Sequence, residues 1–213
     1  MKRYCAVFLL VVLLSAGFGY VIQLVKAEPM ARAEDGVIIT EDFDLRFRFT
    51  IDEEANISRI LFVFKNKTKD ILRIIWDHTL FIDEHGKAHR VIHSGVRYRE
   101  KDKPMPPTEV SPGASIADVI HPVDYVYFSE EWKELPVVLS PINKEFSVAL
   151  AVQHGNKERC YTYKFYVKPT PEELEALRQE QARGEMGTSW IVWTGIIGGM
   201  IIAFTLFMIL ITE

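Results

Sequence analysis

Two uncharged, apolar segments at the ends of the chain limit what it can fold into more than any other feature. Residues 4–25 and residues 189–211 contain no Asp, Glu, Lys or Arg. As an α-helix, the second segment of 23 residues would be about 34 Å long, which is enough to cross the hydrocarbon core of a bilayer. We therefore predict a transmembrane helix at residues 189–211, followed by a short cytoplasmic tail at residues 212–213.

The N-terminal segment has the composition of a secretory signal. Lys2 and Arg3 precede an apolar run, and small residues near Ala27 resemble a cleavage site. Residues 1–27 are therefore predicted to be a signal peptide, or a signal anchor if cleavage does not occur, because 22 uncharged residues also suffice to span a bilayer. The bulk of the chain is then periplasmic or extracellular and the C-terminus is cytoplasmic. The protein crosses the membrane once, or twice if the signal is retained.

Gly195 and Gly199 form a G-x-x-x-G pair in the predicted transmembrane helix. Small residues at this spacing allow two helix backbones to approach closely, so one interpretation is a homo-oligomer that pairs through this helix. The other interpretation is ordinary membrane composition, since such pairs often occur by chance in apolar helices that contain glycine. The sequence leaves both interpretations open.

The residues between the apolar segments alternate between apolar and polar, which is typical of half-buried β-strands. Residues 43–49 show the pattern most clearly, with apolar side chains at every odd position. Leu80–Asp83 and Ala88–His93 flank a turn in which Gly86 can adopt a positive φ, and this predicts a hairpin. Eight to ten such strands predict a mainly β fold, and we expect an immunoglobulin-like antiparallel β-sandwich at residues 37–168.

The segments on either side of this domain are predicted to be connections. Residues 28–36 form a linker. On the other side, Thr170 suits a helix N-cap, Pro171 suits the first helical position, and Glu173 follows three residues after the cap. We therefore expect a helical stalk within residues 169–188 that holds the domain off the membrane.

Motifs that indicate catalysis or cofactor binding are not found in the sequence. There is no turn motif that would present a nucleophile, no glycine loop for phosphate and no dinucleotide fingerprint. We predict that the protein is not an enzyme and uses no cofactor. The alternative is a metal-binding or hydrolytic ectodomain, whose ligands would come from a cluster of His78, His89, His93 and His121.

Cys160 is the only cysteine outside the signal segment, so the cleaved chain could not form an internal disulfide. It lies in a predicted strand just before Tyr161. Because free cysteine is among the most buried residue types, we expect Cys160 to be buried rather than redox-active.

Charges are segregated along the predicted domain. Residues 87–103 carry six basic and two acidic side chains, a net charge of +4, whereas residues 118–145 carry a net charge of −4. Such segregation can steer a partner of opposite charge, although two solvated faces or compensation within the fold would give the same pattern. Loops on a rigid scaffold commonly carry recognition, so we place the partner-binding site in the segment from His85 to Pro107. Its predicted contact residues are Arg90, Arg97, Tyr98, Arg99, Lys101 and Lys103.

The expected partner is another envelope protein or an anionic surface component. Nucleic acid is disfavoured by the formal net charge of −4 and by the predicted export of the domain.

One stretch of the chain resembles a known but uncharacterised type of domain. Its pattern consists of Ile74-Ile75-Trp76-Asp77, Phe81-Ile82-Asp83, Arg90 to Tyr98, Pro112-Gly113 and Asp118 to Pro122. These residues are similar to β domains of unknown function in bacterial envelope proteins and lipoproteins. The resemblance covers about a quarter of the chain and implies a recurring β domain, without roles for particular residues. Those relatives are often tethered by an N-terminal lipid, whereas Phe18 occupies the position at which a lipobox would need cysteine.

Overall fold

The fold is mainly β, as the alternation predicts, with more than half of the described residues in strands. The computed structural model describes residues 11–14, 20–29, 32–34, 36–176 and 178–179. The chain divides into two units, Met1–Pro169 and Thr170–Glu213, and the first unit contains the described strands. Their bounds are β1 Val11–Leu14, β2 Tyr20–Glu28, β3 Arg32–Glu34, β4 Val37–Ile39, β5 Phe43–Ile51, β6 Ile57–Asn66, β7 Leu72–Ile74, β8 Leu80–Ile82, β9 Ala88–Ile92, β10 Thr108–Val110, β11 Ser115–Pro122, β12 Val126–Ser129, β13 Glu131–Glu134, β14 Glu145–His154 and β15 Lys157–Pro169.

Thirteen of these strands form one antiparallel, curled sheet. Their order is β1-β2-β15-β14-β8-β9-β11-β6-β5-β4-β3, with β7 paired to β14 and β10 paired to β7. Strands β12 and β13 pair only with each other and form a separate two-stranded ribbon. Three short 3₁₀ turns in the described part of the chain, Trp76–His78, Tyr98–Glu100 and Val123–Tyr125, lie between consecutive strands.

The curl brings the inner face of β5 against the inner face of β15, and aromatic side chains fill the space between them. The ring centroid of Phe47 lies 5.3 Å from that of Tyr163 and 5.2 Å from that of Phe165. Phe43 packs edge-on against Tyr161, with centroids 4.8 Å apart. Because side chains of a strand alternate between its faces, this packing buries alternate residues in the first part of β5 and in the second part of β15, and leaves the residues between them outside.

Several predicted elements are confirmed by the structure. Strands β8 and β9 pair as a hairpin, and Gly86 in their turn has a φ of +79°. The prediction for Cys160 is wrong, because this thiol is exposed. The neighbouring residue Tyr161 faces the core, so the side chain of Cys160 lies on the opposite face of β15.

The sheet also includes residues that the sequence analysis assigned to the signal segment. Strand β2 pairs with β15 along the whole length of β2, and the side chains of Tyr20, Ile22 and Leu24 are buried in the core. Burial of apolar side chains is the main favourable contribution to folding, so β2 belongs physically to the domain. Cleavage of the chain near Ala27 remains a prediction.

The second unit begins with a helix at residues 171–176 and 178–179. The hydroxyl of Thr170 accepts a hydrogen bond from the backbone N–H of Glu173 at 3.3 Å, so the N-cap that starts the predicted stalk is present. None of the helices in the described part of the chain has the length and apolar character needed to cross a bilayer. The predicted transmembrane helix, with Gly195 and Gly199, lies outside the described residues.

The burial of β2 generates a prediction that bears on signal cleavage. The side chain of Ile22 is 1% exposed, so Ile22→Ala should lower the free energy of unfolding by about 2–5 kcal/mol. Thermal unfolding of the full chain in detergent, together with the mass of the mature protein, measures this effect. Gln23→Ala on the opposite face of β2 is the control and should change little. If the mature protein starts after residue 27, and both variants therefore unfold at the same temperature as the unaltered protein, β2 is dispensable.

Candidate binding surface

The segment between β9 and β10, residues 93–107, contains most of the residues predicted to bind a partner, and we call it the basic loop. Its first anchor is His93, whose ring stacks on Trp76 with centroids 4.1 Å apart and an interplanar angle of 3°. His93 Nδ1 lies 3.1 Å from Oδ2 of Asp118, and the backbone N–H of Ser94 donates to Oδ1 of Asp118 at 2.8 Å. Burial raises the pKa of Asp118, but these hydrogen bonds outweigh it and hold the pKa below its ordinary value.

The second anchor closes the other end of the basic loop. Arg90 forms an ion pair with Asp77 across 3.3 Å and donates hydrogen bonds to the backbone carbonyls of Asp102 and Lys103. Asp77 also accepts a hydrogen bond from the backbone N–H of Met105 at 3.2 Å. Arg90 therefore holds the loop in place.

The third anchor holds the middle of the basic loop against the ribbon. The hydroxyl of Tyr98 donates a hydrogen bond to Glu134, and the ring of Tyr98 packs against that of Trp132 with centroids 5.7 Å apart. Lys101 donates a hydrogen bond to the carbonyl of Val123 at 3.1 Å. The loop and the ribbon consequently form one continuous surface.

Two of the six predicted contact residues remain free on this surface. The side chains of Arg97 and Arg99 are exposed and make no hydrogen bond or ion pair with any residue that the structure describes. Lys103 is also exposed but forms an ion pair with Glu100 across 3.3 Å. The other three contact residues hold the loop. The free positive charge that the sequence placed along the whole segment is therefore concentrated on two arginines.

The ribbon pairs Val126–Ser129 of β12 with Glu131–Glu134 of β13, and the alternation of apolar and polar residues does not identify its second, mostly charged strand. On the ribbon, Phe128 and Trp132 are exposed and pack edge-on with centroids 5.5 Å apart. Aromatic residues within an otherwise acidic stretch were the signal that could have identified this part of the surface.

A buried histidine fixes the base of the ribbon. His89 Nδ1 lies 2.9 Å from Asp124, in the turn before β12, and His89 Nε2 lies 3.1 Å from Asp83, in the β8–β9 turn. The hydrogen bond with His89 is the main cause that lowers the pKa of Asp124. For Asp83, burial raises the pKa, but the hydrogen bonds from His89 and from the backbone N–H groups of His85 and Lys87 have the larger combined effect. The pKa of Asp83 is therefore below its ordinary value.

The four histidines of the metal alternative occupy separate environments. His78 pairs with Glu158 across 2.7 Å, while His89 and His93 pair with the different carboxylates described above. Within the described ranges, no group of three or more His, Cys, Asp or Glu side chains is arranged to hold a metal ion.

His121, in β11, is the fourth of these histidines and is 3% exposed. Neither of its ring nitrogens has a hydrogen-bond partner among the described residues. Burial, reinforced by the nearby charge of Arg59, lowers the pKa of His121 to about 4, so the ring is neutral at neutral pH.

A second cationic surface lies on the outer face of β4, β5, β6 and β11. Arg46, Arg48 and Lys65 line a shallow cavity of about 330 Å³ there. Arg46 and Arg48 are exposed and, like Arg97 and Arg99, form no ion pair with a described residue. They therefore provide a matched comparison for Arg97 and Arg99.

The chain was compared with family models, with curated proteins and with solved structures, and none of these comparisons gave a match.

The burial of His121 predicts a pH dependence of stability. Between its unfolded pKa of 6.5 and its folded pKa of about 4, the unfolded chain binds a proton that the folded chain does not, so stability falls as the pH falls. From about pH 7 to about pH 5 this group should lower the free energy of unfolding by about 2 kcal/mol.

Denaturant unfolding of the full chain at both pH values measures this loss of stability. His121→Leu should remove the loss. His85→Leu, a control at an exposed position, should retain it. An undiminished pH dependence in His121→Leu would contradict this assignment.

Proposed function

We propose that the protein is a membrane-anchored, non-catalytic envelope protein whose exported β domain binds another envelope protein or an anionic surface component. In this proposal an immunoglobulin-like sandwich is presented on a helical stalk, and the apolar segment at residues 189–211 anchors it as a transmembrane helix. The basic loop and the ribbon together form the binding surface.

The observation that supports this proposal best is the junction at Tyr98. Its contacts with Trp132 and Glu134 hold the loop against the ribbon, while Arg97 and Arg99 on either side of it stay exposed. Arginine and aromatic side chains are the residue types most enriched at the centres of protein interfaces. A loop held at three points also loses little conformational entropy when a partner binds.

The alternative, a metal-binding or hydrolytic ectodomain, would need His78, His89, His93 and His121 to converge on one ion or one reaction centre. Three of these side chains instead pair with different carboxylates of the domain, and the fourth is buried with no hydrogen-bond partner among the residues that the structure describes. These contacts support a structural use of the histidines.

Charge reversal of the two free arginines tests the proposed function. The full chain, immobilised in detergent, should capture its partner from a native membrane extract in a salt-sensitive manner. The double variant Arg97→Glu/Arg99→Glu should reduce capture by about tenfold or more, because it opposes the charge that attracts the partner.

The matched control is Arg46→Glu/Arg48→Glu, which makes the same change in charge at the same spacing on the second cationic surface. It should capture the partner as the unaltered chain does. Equal capture by the two double variants would contradict the assignment of the binding surface.

A further inference from the structure

Most of the large apolar side chains that the domain exposes lie in one short segment. Five of them are between 39% and 64% exposed, and we call this set the apolar end: Tyr127, Phe128, Trp132, Leu135 and Leu139. Exposed apolar side chains that lie together usually mark a site of contact with a partner or a membrane.

The segment that carries the apolar end contacts the end of the sheet at which β2 begins and β15 ends. Tyr20, the first residue of β2, pairs with Pro169, the last residue of β15. The hydroxyl of Tyr20 donates a hydrogen bond to the carbonyl of Ala55 at 2.9 Å, which places the loop before β6 at the same edge. Ile57, the first residue of β6, in turn bridges to Val138, within the segment that carries the apolar end.

The sequence after Pro169 indicates what lies opposite this edge. Residues 170–188, 19 in number, precede the uncharged segment at 189–211. As a helix those 19 residues would span about 28 Å. A bilayer that holds residues 189–211 is therefore within reach of this edge.

The side chains at the apolar end suit the headgroup level of a bilayer. Tyrosine and tryptophan favour the interface because their rings are amphipathic. Arg97 and Arg99 flank Tyr98 in the sequence, and the ring of Tyr98 packs against Trp132, so anionic headgroups at this surface would meet two positive charges. Glu130 and Glu131, at the turn of the ribbon, are exposed and charged, which opposes deeper insertion.

We propose that the apolar end rests on the surface of the membrane that anchors the chain and thereby fixes the orientation of the domain. The inference rests on the membrane anchorage in the proposed function and specifies the anionic surface component as phospholipid headgroups. Because the anchor keeps the domain close to the bilayer, even a weak intrinsic affinity for lipid would suffice to maintain the contact.

Lipid-dependent quenching of a fluorescent label tests this inference. In the full chain carrying Cys5→Ser and Cys160→Ser, a single Phe128→Cys or Asn156→Cys substitution accepts the NBD fluorophore. Asn156 is exposed in the β14–β15 turn, at the opposite end of β15, whose 13 residues span about 40 Å. Each labelled chain is reconstituted into vesicles of phosphatidylcholine and phosphatidylglycerol, with or without nitroxide-labelled lipid.

The inference predicts that nitroxide lipid quenches the label at position 128 by about twofold or more and leaves the label at position 156 unchanged. Charge reversal at Arg97 and Arg99 should reduce the quenching at position 128. An unquenched label at position 128 overturns the inference, and so does self-quenching between labels, which would show that a second copy covers the apolar end.

Extraction of the same vesicles with alkaline carbonate separates this inference from the proposed function. A chain that stays in the bilayer without quenching at position 128 contradicts only the inference. A chain that is released from the bilayer contradicts the anchorage, and with it both proposals.

Discussion

The packing of the β5 phenylalanines against the aromatic residues of β15 is the contact on which the rest of the structure depends. It joins segments more than 100 residues apart in the chain and holds the two halves of the curled sheet face to face. The same packing aligns β2 beside β15, so Tyr20 and Pro169 meet at one edge. The position of that edge, and everything inferred about the side of the domain that faces a membrane, follows from how these rings pack.

Polar contacts and one ring stack then attach the basic loop to this core. His93 stacks on the buried Trp76 and pairs with Asp118, while Arg90 pairs with Asp77, so the basic loop is fixed at both of its ends. All five residues belong to the sequence pattern that resembles envelope β domains, and in this chain the pattern corresponds to the contacts that hold one loop. The loop can therefore present Arg97 and Arg99 without their having to take part in its folding.

Alternation of apolar and polar residues made much of this fold predictable. It identified the long strands, and local turn and cap chemistry identified the β8–β9 hairpin and the N-cap at Thr170. It could not identify β2, because a strand within an uninterrupted apolar segment has the composition of a signal. The ribbon was missed because its second strand is mostly charged. For the proposed binding surface, the positive charge was predictable but its distribution was not. Whether the side chain of Arg90 or of Arg97 pairs with a carboxylate depends on strands that are distant in sequence.

The central proposal is that this β domain lies on the outer side of the membrane. Cys160 provides the most direct test, because its thiol is exposed on the domain and the only other cysteine, Cys5, can be replaced by serine. A membrane-impermeant maleimide is added to intact cells or spheroplasts that carry the Cys5→Ser chain, before and after lysis. The account predicts that Cys160 is labelled to the same extent in both samples. Labelling that appears only after lysis would place the domain inside and contradict the account.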